Sequence, residues 1–150
     1  MSLTLQNLEA ALAGESMAHI KYLYFAKIAR AEGYTEVAEH FEHTAAQEIK
    51  HAWGHLELLV GKPSTKICLE MAIEGETYEY TEMYPRMEEQ AELERNDEAM
   101  LEARLQASES KQHAEEFVTV LAKAEKRFAA LKRVEQRHAE AYQQVWETVK

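Results

Sequence analysis

Two Glu-x-x-His units stand out in this 150-residue chain, Glu48 with His51 and Glu135 with His138. A spacing of three on a helix puts both side chains on one face, so each pair is able to point at a single ion. Each unit lies seven residues after a phenylalanine, Phe41 and Phe128, and so continues an apolar stripe. Two further glutamates hold matching places. Glu15 closes Leu8-Glu9-Ala10-Ala11-Leu12-Ala13-Gly14-Glu15, and Glu76 closes Leu69-Glu70-Met71-Ala72-Ile73-Glu74-Gly75-Glu76, 61 residues on. Four-helix bundles that hold two iron or manganese ions use this inventory: one Glu from each of two helices and a Glu-x-x-His from each of the other two. Carboxylates bridge two hard cations and offset their charge, while one imidazole per metal tunes redox behaviour.

Any one of these pieces has an ordinary explanation, because a lone Glu-x-x-His in an acidic chain is usually a solvated helix face. The joint pattern is what carries weight, since buried carboxylates without partners are costly and metal ions are the usual compensation. Glu79 adds a fifth carboxylate, three residues after Glu76, where the first repeat has Ala18. The expected ligand set is Glu15, Glu48, His51, Glu76, Glu79, Glu135 and His138, converging on two metal positions roughly 3.5–4 Å apart.

Helices must position these residues. The first is predicted from about Leu5 to Glu32, stopped by Gly33, and the second from an N-cap at Thr35 to about Val60, ended by Gly61 and Pro63. A third starts near Ile67. No segment alternates with period two over strand length, so the chain reads as all-α. The two repeats predict two helical hairpins. Aligning Phe41, Glu48 and His51 with Phe128, Glu135 and His138 makes the second hairpin 26 residues longer than the first. Divided equally, the addition puts a turn at Ala107-Ser108-Glu109-Ser110 and lengthens each helix by roughly 20 Å. A rival break lies at Arg95-Asn96-Asp97. A rival fourth-helix alignment uses His113, 34 residues after Glu79, but its matching Glu position is Ser110. Glu135 and His138 are preferred because glutamate, histidine, Phe128, Ala139 and Tyr142 all agree.

The segment Gly75-Glu76-Thr77-Tyr78-Glu79-Tyr80-Thr81-Glu82-Met83-Tyr84-Pro85 resembles the third helix of rubrerythrins. Ala13-Gly14-Glu15, Tyr22 to Ala26 and Ala31-Glu32-Gly33-Tyr34 resemble that family's first helix and turn. The similarity covers residues 5–87 well and 128–143 by motif, while residues 88–127 do not follow the family. It implies a ferritin-like antiparallel four-helix bundle, to which the repeat spacing adds an elongated third/fourth helix hairpin, with residues 1–150 forming one di-iron domain and 88–127 an atypical extension. It also implies ligand roles: Glu48 and Glu135 bridging two irons, Glu15 terminal on one and Glu76 on the other. His138 would ligate the second iron, and His51 and Glu79 would exchange on the first with redox state. Tyr22 and Tyr84 match tyrosines that hydrogen-bond ligand carboxylates. With Glu79 they form the expected catalytic group, although core packing explains both tyrosines equally well from spacing.

The activity so implied is reduction of hydrogen peroxide, with dioxygen as an alternative substrate, at two iron ions or manganese in their place. Ferroxidase or iron-storage chemistry is the alternative. Rubrerythrins proper carry a four-cysteine rubredoxin domain, whereas Cys68 is the only cysteine here. An external electron-transfer protein is therefore expected. The net charge of −10 argues against nucleic acid and anionic membranes as partners. Residues Met1 to Gln6 lack the basic start and apolar core of a signal peptide, so the cytoplasm is the expected address. A projecting hairpin would expose apolar side chains, which predicts a homodimer, with exchanged helices as one way to build it.

Overall fold

The computed structural model describes residues 2–149, which form helices and short connections. The chain divides into two compact units, Met1–Pro63 and Ser64–Lys150.

The first unit is an antiparallel hairpin of α1 (Leu3–Ala31) and α2 (Thr35–Val60). Gly33 makes the turn at φ +87, a left-handed conformation that costs glycine nothing, and the Tyr34 amide donates to the Ala29 carbonyl at 2.8 Å. Tyr34, not Thr35, is the N-cap of α2, and it makes no side-chain capping bond. This tight closure leaves Thr35 already helical. Ala38, Ala45 and Ala52, seven residues apart, are 0–1% exposed, with Ala26 and Ala29 of α1 also buried. Small side chains on this stripe let the helix backbones approach closely. Towards the turn, Tyr22, Phe25 and Phe41 form an aromatic cluster with centroids 5.6–6.4 Å apart. Arg30 grips Glu42 there through Nε at 3.0 Å and Nη2 at 2.6 Å.

In the second unit α3 (Thr65–Tyr78) is capped by Ser64, whose hydroxyl accepts from the Ile67 amide, and begins two residues before the expected start at Ile67. A five-residue π-helical turn, Glu79–Met83, comes next, then α4 (Tyr84–Leu93). Pro85 has no N–H to offer the carbonyl four residues back, and the Tyr84 amide donates to Glu79, five back. The chain reverses at Arg95, which takes φ +56, and Asn96 caps α5 (Asp97–Thr148) by accepting from the Ala99 amide at 3.1 Å.

The 52 residues of α5 run without a break, about 78 Å of helix. The turn expected at residues 107–110 is absent, and the boundary is the rival one at 95–97. The physical reason is capping. Asn96 can satisfy a helix N-terminus, while Ser108 and Ser110 lie inside a continuous helix where no amide lacks a partner. The elongated third/fourth hairpin is corrected accordingly: only the returning helix is long. Its buried stripe, Ala103, Ser110 and Ala114, packs on α3, the π turn and α4. Glu125 meets Lys66 at the first turn of α3, at 2.9 Å, and α5 continues more than 20 residues past that point. Among the described residues no helix is long and apolar enough to cross a membrane.

Candidate metal centre

Glu15 sits on the α1 face that carries Tyr22, Ala26 and Ala29, and Glu48 on the α2 stripe between Ala45 and Ala52. Each glutamate thus interrupts an apolar stripe, so folding the hairpin forces the two carboxylates together. Donor atoms of Glu15, Glu48 and His51 all lie within 4.8 Å of one another. His51 Nδ1 is 3.2 Å from Glu48 Oε2 and 3.7 Å from Glu15 Oε2. Hydrogen bonding to Glu48, aided by partial burial and by Glu48's negative charge, holds the Glu15 carboxyl above the usual range. Glu48 is held below it by the hydrogen bond from Glu15 and by His51. Two carboxylates placed to share a proton can share a cation instead. His19, one turn beyond Glu15, bonds the Ala45 carbonyl through Nδ1 at 2.7 Å and ties the helices together beside this cluster. Its spacing of four from Glu15 was the signal for it.

In the second unit Glu76 and Glu79 face α5. Ser110 Oγ donates to Glu79 Oε2 at 2.8 Å, and His113 Nδ1 lies 3.4 Å from Glu76 Oε2. That Glu76 oxygen is buried without a hydrogen-bond partner. A cavity of about 330 Å³ opens beside it, lined by Glu76, His113, Glu116, Phe117 and Val120. Tyr84, half-buried, has its phenol pushed above the ordinary value by burial first, then by the charges of Glu79, Glu102, Glu76 and Glu109. Tyr22 is placed in the aromatic cluster of the first unit, stacked on Phe41.

Glu135 and His138 are exposed to solvent. They lie 25 residues beyond Ser110 and His113 on the same unbroken helix, roughly 37 Å along its axis. The expected fourth-helix motif therefore does not reach Glu76 and Glu79, and the residues that face them are Ser110 and His113. Equal spacing misled the alignment. His113-Ala114 repeats the His51-Ala52 pattern as faithfully as His138-Ala139 does, but Ser110 and Ala103 stand where the other alignment has Glu135 and Phe128.

Compared with known proteins, the chain matches the rubrerythrin family over residues 6–146. It belongs to that family. Nigerythrin of Nitratidesulfovibrio vulgaris is 39% identical over 130 residues, covering 77% of this chain and 64% of that protein. The present chain thus spans under two thirds of nigerythrin's length. Rubrerythrin of Porphyromonas gingivalis is 36% identical over 137 residues, covering 83% and 68%. A solved nigerythrin structure in a mixed-valence state shares 34% identity, covers 83% and 68%, and superposes with a TM-score of 0.42. Membership in the rubrerythrin family makes this a ferritin-like chain.

The donor set fits that assignment. The first unit presents two carboxylates and one imidazole, the hard-oxygen and nitrogen mixture that iron and manganese accept, and in the second His113 faces Glu76 while Glu79 is bonded by Ser110. The orphaned oxygen of Glu76 is the kind of atom a cation satisfies.

Proposed function

We propose that this chain is a non-haem di-iron peroxidase, reducing hydrogen peroxide to two molecules of water with two protons and two electrons. The observation that carries the reading is the convergence of Glu15, Glu48 and His51 within 4.8 Å on a hairpin whose stripe is otherwise apolar. Glu15, Glu48 and His51 in one unit, and Glu76 and Glu79 in the other, are the residues that would hold the metals. A reduced pair of iron ions supplies the two electrons that cleave an O–O bond. The protein supplies position and protons. Glu79, oriented by the Ser110 hydroxyl, is the carboxylate free to change partner. Tyr84, kept protonated by its surroundings, holds a proton at its hydroxyl beside the carboxylates.

In this reading electrons come from an external donor protein, and the exposed thiol of Cys68 suits the reducing cytoplasm. The working form is a homodimer, supported by the exposed apolar residues along the far end of α5.

Anaerobic mixing of the reduced, iron-loaded protein with peroxide and, separately, with dioxygen tests the reading. Oxidation by peroxide at least tenfold faster than by dioxygen is expected. Faster reaction with dioxygen, accompanied by accumulation of ferric mineral, would replace it with ferroxidase or storage chemistry.

A further inference from the structure

The structure assigns Ser110 and His113 as the α5 half of a cation site in the second unit. Glu76 and His113, with Glu79 beside them on Ser110, would hold a divalent metal there, and a serine hydroxyl stands at the helix position that Glu48 takes in the first unit. This inference rests on the di-iron reading and departs from it in one respect, since Ser110 stands at a helix position where that reading expects a glutamate.

Three observations carry it. The helix positions correspond: Glu48-x-x-His51-Ala52 in α2 is matched by Ser110-x-x-His113-Ala114 in α5, and Ala52 and Ala114 are both buried, at 1% and 5% exposed. Ser110 therefore points inward as Glu48 does, and it is itself only 4% exposed. The contacts also correspond, because His113 stands 3.4 Å from Glu76 as His51 stands 3.7 Å from Glu15. The third is an imbalance. Glu76 Oε2 is buried with no hydrogen bond, so an acceptor waits beside an imidazole and a cavity, which is costly until a cation or a donor arrives.

The serine has consequences for affinity. A neutral hydroxyl contributes no charge to hold a second cation, and here it donates its proton to Glu79, engaging an oxygen a metal would use. Binding at this site is weaker than a glutamate at the same position would make it.

The test is titration with Mn2+, which is stable in air, with free ion followed by electron paramagnetic resonance. The wild-type chain is expected to bind two ions. His113→Ala should lose or weaken one of them at least tenfold and leave the other in place, while Glu135→Ala and His138→Ala bind as wild type within twofold. Ser110→Glu should tighten the weaker ion at least tenfold. Because a glutamate at a buried position can destabilise the unit, Ser110→Asp and the Mn2+-dependent rise in Tm of each variant give a second reading. An unchanged titration for His113→Ala, or a lost ion in His138→Ala, overturns the assignment. If Glu48→Gln loses an ion while His113→Ala does not, the di-iron reading stands and this inference falls. If no variant and no wild-type chain binds Mn2+ or Fe2+, both fall together.

Discussion

Glu79 is held at the first residue of a π-helical turn and bonded by Ser110, so its carboxylate is positioned by neighbours of two elements. π turns inside helices recur at functional sites because the extra residue re-aims a side chain. Truncation of this residue separates metal holding from turnover. Glu79→Ala is expected to keep metal at Glu15, Glu48 and His51 while peroxide turnover falls by roughly a hundredfold, within the range for losing a positioned catalytic group. Metal analysis beside a peroxide-consumption assay checks both halves, and unchanged turnover would reduce Glu79 to a packing role. Tyr84→Phe tests the proton separately. It removes one oxygen and leaves the ring in place, so metal content should not change and turnover should drop roughly tenfold or more.

Between elements the hairpin of α1 and α2 depends on close approach, and Ala45 at 0% exposed marks its tightest point. Ala45→Leu should cost about 1–3 kcal/mol by overpacking and shift the His19 bond to the Ala45 carbonyl. Chemical denaturation of the parent and variant measures it. The Arg30–Glu42 pair at the turn gives a pH signature. Glu42 is held below the usual carboxylate range by hydrogen bonding to Arg30, so its contribution is present above the ordinary carboxylate pKa and is lost as pH falls through the lower folded value. Arg30→Ala should therefore lower Tm at pH 7 and make little difference at pH 3. The same hairpin was the legible half of the sequence, because Gly33 can take φ +87 at no cost and so marks the turn by its type alone. Beyond Arg86 there is no glycine or proline to read. The break falls on Arg95 at φ +56, a conformation arginine rarely takes, and its one mark in the sequence is the capping type of Asn96, which makes 95–97 the rival break. The candidate site divided the same way. Glu15, Glu48 and His51 announce themselves by type, whereas Ser110 carries no charge to mark its place, so His138 with its own glutamate looked a better partner than His113.

At the scale of the molecule, the far end of α5 is the part whose surface is unexplained by its own unit. Phe117, Leu121, Ala124, Phe128, Leu131, Glu135, His138, Tyr142 and Val145 succeed one another at alternating steps of four and three, the spacing of a coiled-coil seam. Phe128, Leu131, Tyr142 and Val145 are 50–76% exposed. A second copy of the chain is the partner whose charges fit. Set antiparallel about the midpoint of Glu135 and His138, two such helices place Glu135 of each opposite His138 of the other, Phe128 opposite Val145 and Leu131 opposite Tyr142. A parallel arrangement in register would set Glu135 against Glu135 at the middle of the seam, where like charges are unfavourable. Sedimentation equilibrium is expected to give a dimer. His138→Glu, which faces glutamate with glutamate, should weaken it at least tenfold, or about 1.4 kcal/mol. Exchanging both residues, Glu135→His with His138→Glu, should restore the wild-type association within threefold, since the antiparallel pairing is indifferent to which partner carries which charge. A monomeric wild-type chain, or a dimer untouched by His138→Glu, would show that the seam is covered by something other than its own copy.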